Sequence, residues 1–199
     1  MSLFEIEHWA NELHEKTKHL TALLQDGPDY PSYESRDVWK QNEERWCFLW
    51  QRELLYWAIS FRRLFEEARA LKERDAKERK HFEDTGRQYN GLTFAPYQPP
   101  WREIAEFSKT QINLRGCIVW NNDFPKLDQN LTVSCWDLCN GLIHHTALSL
   151  QNYDGSNGFM FNSDHMIGEV KGKRLFLGIN DIQTITKSFG DLVFERKAQ

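Results

Sequence analysis

The chain has 199 residues, a formal net charge of −4, 40% hydrophobic residues and 14% aromatic ones, including 8 Trp, 13 Phe and 6 Tyr. That aromatic content excludes a wholly disordered chain, the length allows one sizeable core, and no apolar run approaches the roughly 20 residues that span a bilayer. The opening Met-Ser-Leu-Phe-Glu-Ile-Glu-His has no basic stretch followed by an apolar one, so no secretory signal is read and a cytoplasmic protein without membrane contact is expected.

Residues 62–83 and 171–199 are net basic, but neither is a dense run of one sign. Duplex DNA is therefore not an expected partner, whereas a small local site for RNA is compatible with the charge pattern. The four cysteines, Cys47, Cys117, Cys135 and Cys139, lack the spacing of a zinc module. Cys135 and Cys139 are four apart and are expected to pack on one side of a helix as small buried hydrophobes.

In chain order, Ser2 and Glu5 have capping-box spacing. Leu3, Ile6, Trp9, Ala10, Leu13, Leu20, Leu23 and Leu24 then recur as a helical stripe that Asp26-Gly27-Pro28 closes. A long second helix is expected from about Asp37 to Phe82, with Trp39, Trp46, Trp50 and Trp57 on one stripe around which the core is built. Its end, from Lys72 to about 84, is polar nearly all round and is expected to project into solvent. A connector rich in Pro and Gly spans 86–100, and a third helix is expected from Pro100-Trp101 through Ile104, Phe107, Ile112, Val119 and Trp120. A fourth is expected from about Asp128 to Leu150, its apolar arc formed by Leu131, Cys135, Leu138, Cys139, Leu142, Ile143 and Leu150. A small β-hairpin at about 165–180 precedes a last helix carrying Ile182, Ile185, Phe189 and Leu192. The expected fold is one mainly α domain over 1–199, a bundle of about five helices with a small hairpin before the last.

No dinucleotide-binding glycine motif, P-loop or His-Glu-x-x-His is present, and Glu5 with His8 is a single Glu-x-x-His where a di-iron bundle needs two. No metal or other cofactor is expected. One constellation stands out, Asp137-Leu-Cys-Asn140-Gly-Leu-Ile-His144-His145. On a helix, Asp137, Asn140 and His144 share a face, where an imidazole can act as general base toward a ribose 2′-OH while the amide orients a phosphate. The bland alternative is a polar helix face with His144 exposed and His145 satisfied at its edge.

The helix Asp137-Leu-Cys-Asn140-Gly-Leu-Ile-His144, late in an expected helical domain, resembles the Arg-Asn-x-x-x-His signature of the HEPN family. That family comprises helical bundles, often homodimeric. Many are metal-independent ribonucleases of toxin–antitoxin and defence systems; others are non-catalytic nucleotide-binding or assembly modules. The resemblance implies a homodimer with Asn140 and His144 as the catalytic pair lining a cleft at the dimer seam. Asp137 and His145 are the neighbouring candidates for binding. Cys139 stands where the family has its Arg, and a thiol cannot supply that guanidinium. Arg115, on the preceding helix, is the candidate substitute. The residues thus leave open a diverged ribonuclease, an RNA- or nucleotide-binding module, and a non-enzymatic bundle that binds a protein partner through surface aromatics.

Overall fold

The computed structural model describes residues 3–28, 35–86, 101–118, 129–153, 155–162 and 173–194. Among them are five helices, α1 (Leu3–Asp26), α2 (Arg36–Thr85), α3 (Trp101–Phe107), α4 (Cys135–Ile143) and α5 (Ile179–Phe194). Five strands accompany them, β1 (Gln111–Ile118), β2 (Gln129–Ser134), β3 (Ala147–Tyr153), β4 (Ser156–Asn162) and β5 (Lys173–Gly178). The strands form one antiparallel sheet in the order β2-β1-β5-β4-β3.

This corrects the expected mainly α bundle with one small hairpin: the sheet is a substantial layer of five strands. The sheet arises because three stretches alternate with period two rather than 3.6. In Gln111-Ile-Asn-Leu-Arg, Leu114 is buried, Ile112 is half-buried, and Gln111, Asn113 and Arg115 are exposed. Helix α3 therefore ends at Phe107, and Ile112 belongs to β1; Val119 and Trp120 lie outside the described residues. The expected helix over 128–150 is instead β2, a nine-residue α4 and β3, with Leu131 in the first strand and Leu150 in the second. The hairpin expected at 165–180 is also replaced. Met166–Val170 lies outside the described residues, and Arg174–Gly178 belongs to β5, which pairs with β1 and β4.

Helices α4 and α5 contact the sheet, α2 rests on it through Trp50, and α1 packs on α2 and α5, so the helices lie on one side of the sheet. Leu114, Val133, Phe159, Phe161, Leu175 and Leu177 supply the sheet side of the core. Trp50, Trp57, Phe61, Leu64 and Phe65 of α2, with Phe189 of α5, supply the helix side. Trp50 rests on Phe159 with ring centroids 5.2 Å apart, and Phe61 packs edge-on to Phe189 at 5.1 Å. The expected Trp stripe divides along α2: Trp50 and Trp57 are buried, Trp46 is half-buried with its indole donating to Leu23 O, and Trp39 is 39% exposed. On the outer face of the sheet Phe176 is buried under Tyr153 and Met160.

At 50 residues, α2 is about 75 Å long by the 1.5 Å helical rise. Its core contacts thin out beyond Leu71, and Gly86, left-handed at φ 65°, closes it by donating its N–H to Phe82 O. Charged residues from Lys72 onward lie largely in solvent, apart from Asp75, which Arg79 covers with a 2.9 Å hydrogen bond.

Candidate functional site

Helix α4 places the candidate residues. Its first backbone amides, orphaned as at any helix start, are satisfied by the turn between α3 and β1: Cys135 N donates to Thr110 O and Trp136 N to Ser108 O, both at 3.0 Å. Ser134 caps the helix, accepting from Asp137 N at 3.1 Å and donating its hydroxyl to Asp137 Oδ2 at 2.6 Å. Asp137 is thereby occupied with the cap. Asn140 is only 8% exposed and sits in the helix with buried Leu138, Cys139, Gly141 and Leu142 around it. The polar face expected along this helix is therefore closed over Asn140, and open only at the C-terminal end.

That end is His144, which caps α4 with its N–H on Asn140 O at 3.0 Å and leaves its ring exposed. Arg62 of α2 lies against it, Nη1 to Nε2 at 3.0 Å. Because guanidinium has donors only, a hydrogen bond at this contact has Nε2 as its acceptor. Arg62 is held from the other side by Glu66, whose Oε1 accepts from Nε at 2.8 Å. Arg62 and Glu66 line an open cleft of about 490 Å³ together with Ile59, Arg63, Glu67 and Ile143, and His144 adjoins it through Arg62. His145 points elsewhere: its Nδ1 donates to Leu142 O at 2.6 Å and it is half-buried.

Arg115 does not reach this cleft. It lies in β1 opposite Asn130 and Phe176, one residue after buried Leu114, so its exposed side chain occupies the outer face while α4 packs on the inner one. The guanidinium near His144 comes instead from Arg62, 82 residues earlier in the chain. No local motif marks Arg62; the only sequence signal is that Arg62-Arg63 begins the net-basic stretch of the long helix.

Cys139, at the position of the family's Arg, is 2% exposed. Burial pushes its thiol well above the ordinary range, the neighbouring Cys135 adds to that shift, and the Arg62 charge opposes it. Cys135 is likewise pushed up by burial, to about 12. Both are packing residues of the core rather than nucleophiles. Among the described residues, no three His, Cys, Asp or Glu side chains converge as metal ligands, and no helix is long and apolar enough to cross a membrane.

The class that the geometry defines is an α+β domain with an Arg–His pair between its longest helix and the end of a short one, the arginine lining an adjoining cleft. No family model matches the chain, and no curated protein or solved structure matches it.

Proposed function

We propose that the chain binds single-stranded RNA in the α2–α4 cleft and cleaves it without a metal, His144 being the general base. The observation that supports this is the Arg62–His144 pair, an exposed imidazole 3.0 Å from a guanidinium that lines an open cleft. A phosphodiester entering the cleft offers Arg62 a better partner than the imidazole, because guanidinium binds phosphate oxygens through two parallel bonds. Its transfer frees Nε2 to take the proton of a ribose 2′-OH. The 2′ oxygen then attacks phosphorus, the bond to the 5′ oxygen breaks, and the departing oxygen takes a proton from water. The products are a 2′,3′-cyclic phosphate and a 5′-hydroxyl. Arg62, on a non-bridging oxygen, stabilises the charge that develops there.

The test is incubation of purified chain with end-labelled single-stranded RNA in EDTA. Wild type yields cyclic-phosphate ends, His144→Ala yields none, and Arg62→Ala is strongly impaired. Cleavage that survives His144→Ala sinks the assignment. Binding without cleavage, lost in Arg62→Ala, leaves the non-catalytic RNA-binding module in its place.

A second reading, self-association, has its own support. The exposed large hydrophobics of the described residues, Trp39, Phe48, Tyr56, Ile59 and Phe82, all lie on α2. Phe48 is 63% exposed and Ile59 45%, values too high for core residues. Two copies of α2 laid antiparallel with Phe48 of one against Ile59 of the other also bring Glu44 opposite Arg63 and Lys40 opposite Glu67. Two opposed charge pairs are thus complementary, against Arg45 opposite Arg62 in the same register, and the occupant we assign to this face is a second copy of the chain. Sedimentation equilibrium is expected to show a dimer that Phe48→Glu dissociates. A monomeric wild type at tens of micromolar rules this out.

A further inference from the structure

The chemistry at His144 leaves unused a second concavity, at the opposite end of α4. There α2 passes the N-terminus of α4 and meets α3 and the start of β1, enclosing about 280 Å³. Three cations line it, Arg69, Lys72 and Lys109, and no carboxylate does. Its floor is the apolar surface of Phe65 and Trp136, whose ring centroids lie 6.4 Å apart.

Each cation is available at its polar end. Arg69 stacks its guanidinium on the Trp136 indole at 4.4 Å, which uses the flat face and leaves the N–H edge for an acceptor. Lys109 is held by Glu106 at 2.9 Å, but both side chains are about 60% exposed, and such a pair exchanges readily for a stronger anion. Lys72 is exposed and interacts with the Glu106 carboxylate through its charge. Glu106, outside the pocket, offsets part of the positive charge through Lys109 and Lys72, and three cations to this one exposed carboxylate leave the pocket net positive over an apolar floor.

We infer that this pocket binds a phosphate group, and specifically a second phosphate of the RNA strand whose scissile bond lies at His144. The inference rests on the RNA reading above for the identity of the strand, though not for the phosphate. Geometry links the two sites. Arg62 meets α4 at its last residues and Arg69 meets it at its first, so α2 and α4 run antiparallel there. The seven residues from Arg62 to Arg69 span about 10 Å of helix. A strand lying along the α2–α4 groove contacts Arg62 with one phosphate and the pocket with another further along. Trp136 offers its uncovered edge to the sugar or base between them.

Two probes separate the pocket from the strand. The first is inorganic pyrophosphate, titrated into ¹⁵N-labelled chain. It is expected to shift the amides of Lys72, Lys109 and Gln111, and to do so no longer in the exposed-surface double variant Lys72→Ala/Lys109→Ala. The second is fluorescein-labelled hexauridylate, followed by anisotropy. The double variant is expected to bind it about tenfold more weakly and with a log–log salt slope flatter by about 1.4, two contacts at about 0.7 each for a single strand. Pyrophosphate shifts at the pocket with no RNA binding by either protein would retain a phosphate pocket and remove RNA as its ligand. Unshifted pocket amides together with equal hexauridylate affinity overturn the inference outright.

Discussion

Trp57 donates its indole N–H to the hydroxyl oxygen of Thr186 at 2.9 Å, joining the middle of α2 to α5 through the core. The direction of the neighbouring bonds follows from that one. Thr17 gives its hydroxyl proton to Leu13 O at 2.9 Å, so in the 2.9 Å contact between the two threonines Thr186 is the donor. The result is a one-way chain, indole to Thr186 to Thr17 to backbone, tying α2, α5 and α1 together where all three side chains are buried.

Breaking the middle link strands both ends. Thr186→Val keeps the volume but leaves the Trp57 N–H without an acceptor and Thr17 without its donor. A loss of about 1–3 kcal/mol is expected in urea unfolding. Trp57→Phe/Thr186→Val together should cost less than the sum of the two single changes, since the stranded donor is gone. Additive losses would show that the two residues do not communicate.

Gly158 has a different constraint. A Cβ there would stand 2.6 Å from Phe176 Cζ and 2.6 Å from Leu177 O, because the Phe176 ring lies over the strand next to it. Gly158→Ala is expected to destabilise by about 1–3 kcal/mol. Adding Phe176→Leu should recover part of this, the backbone clash remaining. A Gly158→Ala protein as stable as wild type in thermal melts would refute this placing of the ring.

Acid stability should depend on Glu53, whose side chain is 5% exposed. Burial alone raises its carboxyl, but Arg52 at 2.8 Å and Lys16 at 3.2 Å outweigh burial and hold it below 4.5. A group lowered in the folded state contributes stability above its unfolded value, and that contribution is lost as pH falls through the folded value. Glu53→Gln is therefore expected to cost about 1 kcal/mol at pH 7 and to show a shallower loss of stability than wild type below about pH 4.5. Parallel pH profiles for the two proteins would exclude this role.

At the cleft, Arg62→Lys retains a charge but not the planar fork that reaches His144 and Glu66 at once. RNA cleavage is expected to fall by about tenfold or more, with folding unchanged by circular dichroism. Full activity in this variant would mean that a simple positive charge suffices.

The helices were legible where their apolar period ran long. The α1 stripe from Ile6 to Leu24 and the α2 stripe through Trp50, Trp57, Phe61 and Leu64 are buried as their spacing implies. The strands were masked by phase. Leu131 and Val133 point inward from β2, and the next inward residues, Cys135, Leu138, Cys139 and Leu142, continue at helical intervals, so strand and helix read as one arc. Beyond His144, Leu148 and Leu150 in β3 alternate with exposed Ala147, Ser149 and Gln151, and this period of two was the signal that separates them. At the site, His144 was visible as an imidazole at a helix end. Arg62 was not, because its pairing depends on how α2 crosses α4, which no spacing within either helix encodes. Asn140 was misplaced on an open face because a nine-residue helix wedged between α2 and the sheet is covered on nearly every side.

The order of the sheet, β2-β1-β5-β4-β3, puts the last strand to be synthesised at its centre. As the chain leaves the ribosome, β1–β2 and β3–β4 emerge as two separate hairpins with nothing to join them, and each waits with one edge unpaired until Gly178 is clear. The nascent chain thus carries two adhesive edges late into translation. Release of a product truncated before residue 173 would leave both permanently open, so such fragments are expected in inclusion bodies rather than as soluble intermediates.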